Sequence, residues 1–217
     1  HQMTITESGD GYVSLIDADR DVVRNYDVSS ETYSLSYSLP GANLFRGQFS
    51  FSGSSFEGEI RIPLDISYAN DLARLIIYLN NDNKDVIGVI NSLKLTGGSA
   101  TQDNQGPNIV FETINRQRLE NNDHLLNSED LVIRISDPIG INLTNESGHE
   151  ITITELNQNV IKNLTNEFYY DPNSVSTGTI KFMTTEKNIN LKINAWDNAN
   201  NPSERLIKLF KTSNEKL

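Results

Sequence analysis

Large apolar residues in this chain fall in short alternating runs, and Gly, Asn, Asp and Ser cut one run from the next. A period of two puts every second side chain on one face of an extended strand, whereas a helix needs apolar groups three and four apart. In the first half Phe45, Gly47, Phe49 and Phe51 share a face. Ser52-Gly53-Ser54-Ser55 offers a turn, and Phe56, Gly58, Ile60 and Ile62 share a face of an expected return strand. Pro63 ends it, because proline donates nothing to a ladder. Leu75, Ile77 and Leu79 alternate next, Asn80-Asn81-Asp82-Asn83 turns, and Val86 to Ile90 returns.

The second half repeats the pattern at shorter intervals. Ile109 and Phe111 open a strand, and Leu131, Ile133 and Ile135 alternate in the next. Ile151 with Ile153, Ile180 with Phe182, then Ile189, Leu191, Ile193 and Ala195 follow, and Leu206 to Phe210 closes the series. About seven strands in roughly 105 residues match an immunoglobulin-like sandwich. A short helix fits only Asn157 to Asn166. Between them, Gly97 to Gly106 lacks large apolar groups and reads as a boundary. The expected fold is therefore all-β: an N-terminal β-sandwich domain at 1–100, whose start need not be complete, and a C-terminal immunoglobulin-like β-sandwich domain at 101–217.

Composition narrows the function classes. The chain has 217 residues, 29 acidic and 18 basic, for a net charge of -11. That balance repels a polyanion, so nucleic acid is not an expected partner, whereas cations and basic surfaces are. No apolar run approaches the roughly 20 residues of a membrane-crossing helix. With no Cys there is no disulfide, thiolate metal site or cysteine nucleophile. The opening His1-Gln2-Met3, with strand-like residues close behind, reads as the start of an excised fragment.

Three Asp-bearing turns stand where strands start or stop: Asp103-Asn104-Gln105-Gly106-Pro107, Ser136-Asp137-Pro138-Ile139-Gly140, and Trp196-Asp197-Asn198-Ala199. In a seven-strand sandwich these loops gather at one pole, so Asp103, Asp137 and Asp197 are expected to converge. Carboxylates with neighbouring carbonyl oxygens supply the hard ligands calcium prefers. The alternative is that each Asp caps its own turn through backbone N–H groups. Turn-capping is the favoured reading of the two and no cofactor is required by it; if a cofactor is held, it is calcium, with Asp103, Asp137 and Asp197 as its ligands. Asp17, Asp19 and Asp21 imitate the start of an EF-hand loop, but the sixth position lacks Gly and the twelfth is Val28. A solvated turn is expected there. No catalytic residue is assigned: His149 reads as a surface residue at a strand edge, and no Gly-x-Ser-x-Gly elbow occurs. Trp196 is expected to plug the end of the sandwich, with a sugar-stacking platform as the other reading.

Seven stretches in order carry a family resemblance: Asn43 to Gly47, Ile60 to Tyr68, Asp103 to Pro107, Asp137 to Asn142, Gly148 to Ile151, Leu164 to Tyr170, and Ala195 to Asn201. Together they resemble the C-terminal region of PorU-type proteins, the gingipain-like cysteine peptidases that act as sortases of the type IX secretion system. Two places depart from that pattern. The family has Asp-Glu-Ser-Gly-Ile-Asn where this chain has Asp137-Pro138-Ile139-Gly140-Ile141-Asn142, and a Gly-His pair where it has Glu186-Lys187-Asn188. The family's catalytic Cys and His belong to an upstream peptidase domain, and no position here matches them.

The resemblance implies a non-catalytic accessory region, exported to the cell surface as part of a larger bacterial protein. Its implied partners are the parent peptidase domain, other secretion-system proteins and the β-sandwich C-terminal domains of cargo. The rival reading is an adhesin or carbohydrate-binding array of immunoglobulin-like modules. It requires the halves to repeat each other, and the first has no counterpart of Asp137 to Asn142 or of Trp196-Asp197.

Overall fold

Strand β15 (Asn188–Trp196) shows how the alternation is used. Ile189, Leu191, Ile193 and Ala195 point inward and are at most 2% exposed, while Asn190, Lys192, Asn194 and Trp196 face out. Each fully buried Ile or Leu contributes roughly 1.5–3 kcal/mol. The computed structural model describes residues 8–53, 57–67, 72–81, 83–96 and 102–213.

Within them the chain is all-β. The first half holds β1 (Gly9–Ile16), β2 (Arg20–Val28), β3 (Glu31–Leu39), β4 (Asn43–Phe51), β5 (Ala73–Asn81) and β6 (Lys84–Leu93). The second holds β7 (Asn108–Glu112), β8 (Arg118–Leu119), β9 (His124–Leu126), β10 (Leu131–Ser136), β11 (Thr152–Glu155), β12 (Val160–Asn163), β13 (Tyr169–Tyr170), β14 (Thr177–Phe182), β15 and β16 (Pro202–Thr212). A nine-stranded sheet runs β6-β5-β1-β4-β13-β14-β10-β7-β8, and a five-stranded sheet runs β12-β11-β15-β16-β9. Inward residues of the second half, among them Phe111, Ile133, Ile135, Ile153, Ile193 and Leu209, form one apolar cluster that also takes in Leu15, Leu44, Phe45 and Ile66 of the first.

The first half joins the long sheet through one parallel pairing, Tyr170 opposite Gly47. Asn173 adds two bonds to β4, its N–H donating to Gln48 O at 2.8 Å and its Oδ1 accepting from Ser50 N at 3.0 Å. The expected boundary falls partly on 97–101, outside the described residues.

Strands β2 and β3 pair only with each other. Their register puts Val22, Arg24, Tyr26 and Val28 with Tyr37, Leu35, Tyr33 and Glu31 on one face, and Asp21, Asn25 and Asp27 with Ser38, Ser34 and Thr32 on the other. The root of this ribbon is clamped. Asp17 is 2% exposed, its N–H donates to Ala42 O at 2.8 Å, and its carboxylate accepts from the N–H groups of Ala18 and Ser67. Asp19 accepts from Gly41 N at 3.1 Å and pairs with Arg74 at 2.9 Å. The expected solvated turn is therefore a buried anchor, because two chain segments bring backbone donors to Asp17.

Two further expectations give way. The return strand at Phe56 to Ile62 does not form over 57–62, and Phe56 lies outside the described residues; β1 and β13 flank β4 instead. The helix fitted to Asn157 to Asn166 is replaced by a turn, β12 and a single 3-10 turn at Thr165–Glu167, since Val160 and Ile161 complete an antiparallel edge on β11.

Candidate functional site

Strands β10 and β15 end at the same pole, and β7 begins there. Asp137 follows β10 directly, Asp197 follows β15 directly, and Asp103 precedes β7. The structure brings one carboxylate oxygen from each of Asp103, Asp137 and Asp197 to within 4.8 Å of one another. Asp137 and Asp197 are 4% and 0% exposed.

Each aspartate also holds its own turn. Asp103 Oδ1 accepts from Gln105 N at 2.9 Å, Asp137 Oδ1 from Ile139 N at 2.8 Å, and Asp197 Oδ1 from Ala199 N at 2.9 Å and Asn201 N at 2.7 Å. Among the described residues Oδ2 of Asp103 and of Asp137 accepts no hydrogen bond, while Asp197 Oδ2 takes Asn201 Nδ2 at 2.7 Å. Oxygens on opposite sides of a calcium ion lie about 4.6–5.2 Å apart, twice the usual calcium–oxygen distance. The separations in the cluster, none above 4.8 Å, do not exceed that limit.

Crowding marks the electrostatics. Burial first, then the neighbouring Asp197 and Asp103, push the Asp137 carboxyl up to about 6, against the lowering by Ile139 N–H and Arg61. A cation placed between the three would offset that repulsion. Gly140 lets the Asp137 turn close: its φ is +91°, and a Cβ there would stand 2.6 Å from Asn198 Nδ2. Asn198 uses that nitrogen to hold Ile139 O at 2.8 Å and Arg61 O at 3.3 Å.

A second polar cluster adjoins the first. Asp65, from the irregular segment after Pro63, accepts from Asn200 Nδ2 at 2.6 Å and Asn142 Nδ2 at 2.8 Å, and its Oδ2 lies 2.5 Å from His149 Nδ1. Burial raises its carboxyl, but the bonds from His149, Asn142 and Asn200 outweigh it and leave the group below the usual carboxylate value. His149 thus ties the halves together rather than standing free at a strand edge. Its ring packs on Trp196, 4.5 Å between centroids. Trp196 does not plug the sandwich: it lies half-buried on the outer face of β15, and Ala195, fully buried, takes the inner place.

Tyr170 completes the neighbourhood. Its hydroxyl accepts from Ile141 N at 2.6 Å and donates to Ile141 O at 3.2 Å, and its ring stacks on Phe45 at 4.6 Å. Burial raises its phenol well above the ordinary value. Sequence reasoning missed Asp65, whose partners lie 77 to 135 residues away. The one available signal was its place in the second of the seven stretches.

No family model matches the chain, and no curated protein matches it. Among solved structures it is similar to the crystal structure of dimeric latent PorU from Porphyromonas gingivalis, at 20% identity and a TM-score of 0.48, over 97% of this chain and 20% of that one. The chain spans about a fifth of that protein's length.

Proposed function

We propose that this chain is a non-catalytic accessory region of a PorU-like sortase of the type IX secretion system, exported to the outer surface, where it braces the peptidase domain or meets secretion partners and cargo. One observation carries the reading: all seven stretches of the family pattern join in a single set of contacts. Phe45 and Gly47 meet Tyr170, Tyr170 holds Ile141, and Asn142 holds Asp65 and Asn200. His149 holds Asp65, and Asn201 Nδ2 reaches Asp103 O at 3.1 Å. Residues spread along the chain are spent on one another, which is what a brace needs.

The same reading assigns the two halves as domains and gives the three aspartates a calcium ion at their junction, held by the free oxygens of Asp103 and Asp137 beside Asp197. Bound there, the ion stiffens the contact between the halves. Calorimetry with calcium tests this part: millimolar metal raises the melting temperature of the chain, and an unchanged melting temperature retires it. For the accessory role the decisive observation is the gene upstream. A Cys/His peptidase domain supports the sortase reading, further sandwich modules favour an adhesin, and peptidase turnover by this chain alone overturns the non-catalytic assignment.

A further inference from the structure

We propose that the groove beside Trp196, on the outer face of the five-stranded sheet, binds a neutral oligosaccharide. This goes beyond the accessory role and stands or falls separately from it. Ladder register sets Thr152, Asn194 and Glu204 side by side across β11, β15 and β16, and sets Trp196 opposite Pro202 in the next row. Together with Glu150 and Ser203 these side chains line a groove of about 470 Å³, inside the range of roughly 300–1,000 Å³ usual for ligand sites.

The lining matches a sugar ring part by part. A pyranose has an apolar C–H face and a rim of hydroxyls. An indole is a flat apolar plate, and carboxylates, a carboxamide and hydroxyls accept from or donate to that rim. The core does not account for the indole, because the inward positions of β15 are already filled by Ile189, Leu191, Ile193 and Ala195. Trp196 is also held in place. His149, itself fixed on Asp65, packs against the ring without lining the groove, and Trp196 O accepts from Asn142 N at 2.9 Å. A plate fixed before the ligand arrives loses little entropy on binding.

Charge selects the ligand. Two carboxylates, Glu150 and Glu204, line the groove, and the neighbouring Lys192 is already paired with Glu204 at 3.2 Å. An acidic sugar is repelled there and a neutral one is not.

Trp196 is the sole tryptophan of the chain, so emission under tryptophan-selective excitation, which spares the eight tyrosines, reports on this groove. The chain is screened on an array of neutral and acidic oligosaccharides, then titrated with cellohexaose, mannohexaose and chitohexaose, with oligogalacturonate as the anionic probe. The expected result is a saturable emission change with at least one neutral hexasaccharide and none with oligogalacturonate. By calorimetry, Trp196→Ala abolishes that binding, and Asn194→Ala, an outward substitution that leaves the core untouched, weakens it about tenfold, roughly 1.4 kcal/mol. No binding to any neutral sugar overturns the proposal. So does a preference for the acidic probe, or binding that survives both substitutions.

Discussion

The two halves use the same alternating pattern to opposite ends. In the second, β10 and β15 face each other across a closed core, with Ile133, Ile135 and Ile193 at 0% exposure. In the first, Ile87 and Val89 of β6 stand 68% and 55% exposed, and Tyr26 and Leu35 of the β2–β3 ribbon 52% and 53%. Alternation decides which side chains share a face. Whether that face is buried depends on a second layer, and among the described residues only the second half has a full one.

The sharpest test of this contrast removes one large side chain from each half. Phe111→Ala, at a site with 0% exposure, is expected to cost about 3–5 kcal/mol in denaturant unfolding, and Ile77→Ala on half-buried β5 under about 2 kcal/mol. Equal costs would break the comparison. At the junction, Asp65→Ala is expected to cost about 2–3 kcal/mol, because Asn142, His149 and Asn200 lose a charged acceptor. It should also change the near-ultraviolet circular dichroism of Trp196, against which His149 packs.

Asp137→Asn runs the other way. A carboxyl whose folded pKa of about 6 exceeds its unfolded value of about 3.9 adds stability at low pH and loses it as the pH rises through 6. The substitution is therefore expected to stabilise the metal-free chain at pH 7 by about 1–2 kcal/mol, to flatten the gain in stability between pH 6 and 4, and to weaken any calcium response. Asp65, held low, acts oppositely: its contribution is present at neutral pH and is lost as the pH falls below about 4. Smallest of all, Tyr26→Ser on the exposed ribbon is expected to move stability by no more than about 0.5 kcal/mol, as followed by thermal melting. A larger loss would mean that the ribbon is covered in solution.

Strand positions in the second half were legible because burial and alternation coincide there, as at Leu131, Ile133 and Ile135. The meeting of Asp103, Asp137 and Asp197 was legible from the order of strand ends. Asp65 was not, since its segment has no period and its partners come from three distant loops. Trp196 was misplaced because a lone tryptophan at a strand terminus usually supplies buried area, whereas its position after Ala195 in the alternation points it outward. The return strand at Phe56 to Ile62 read well in isolation, but β1 took the edge of β4 that it required.

Continuity of the long sheet between the halves comes down to Tyr170 against Gly47 and the bonds of Asn173. So short a seam leaves most of the attachment to side chains, as where Asp65 meets Asn142, His149 and Asn200. Gly47 is its pin: a methyl group there would meet the Phe45 ring at 2.6 Å and prise that ring off Tyr170, so one added carbon would part the strands and open the shared core at the same point.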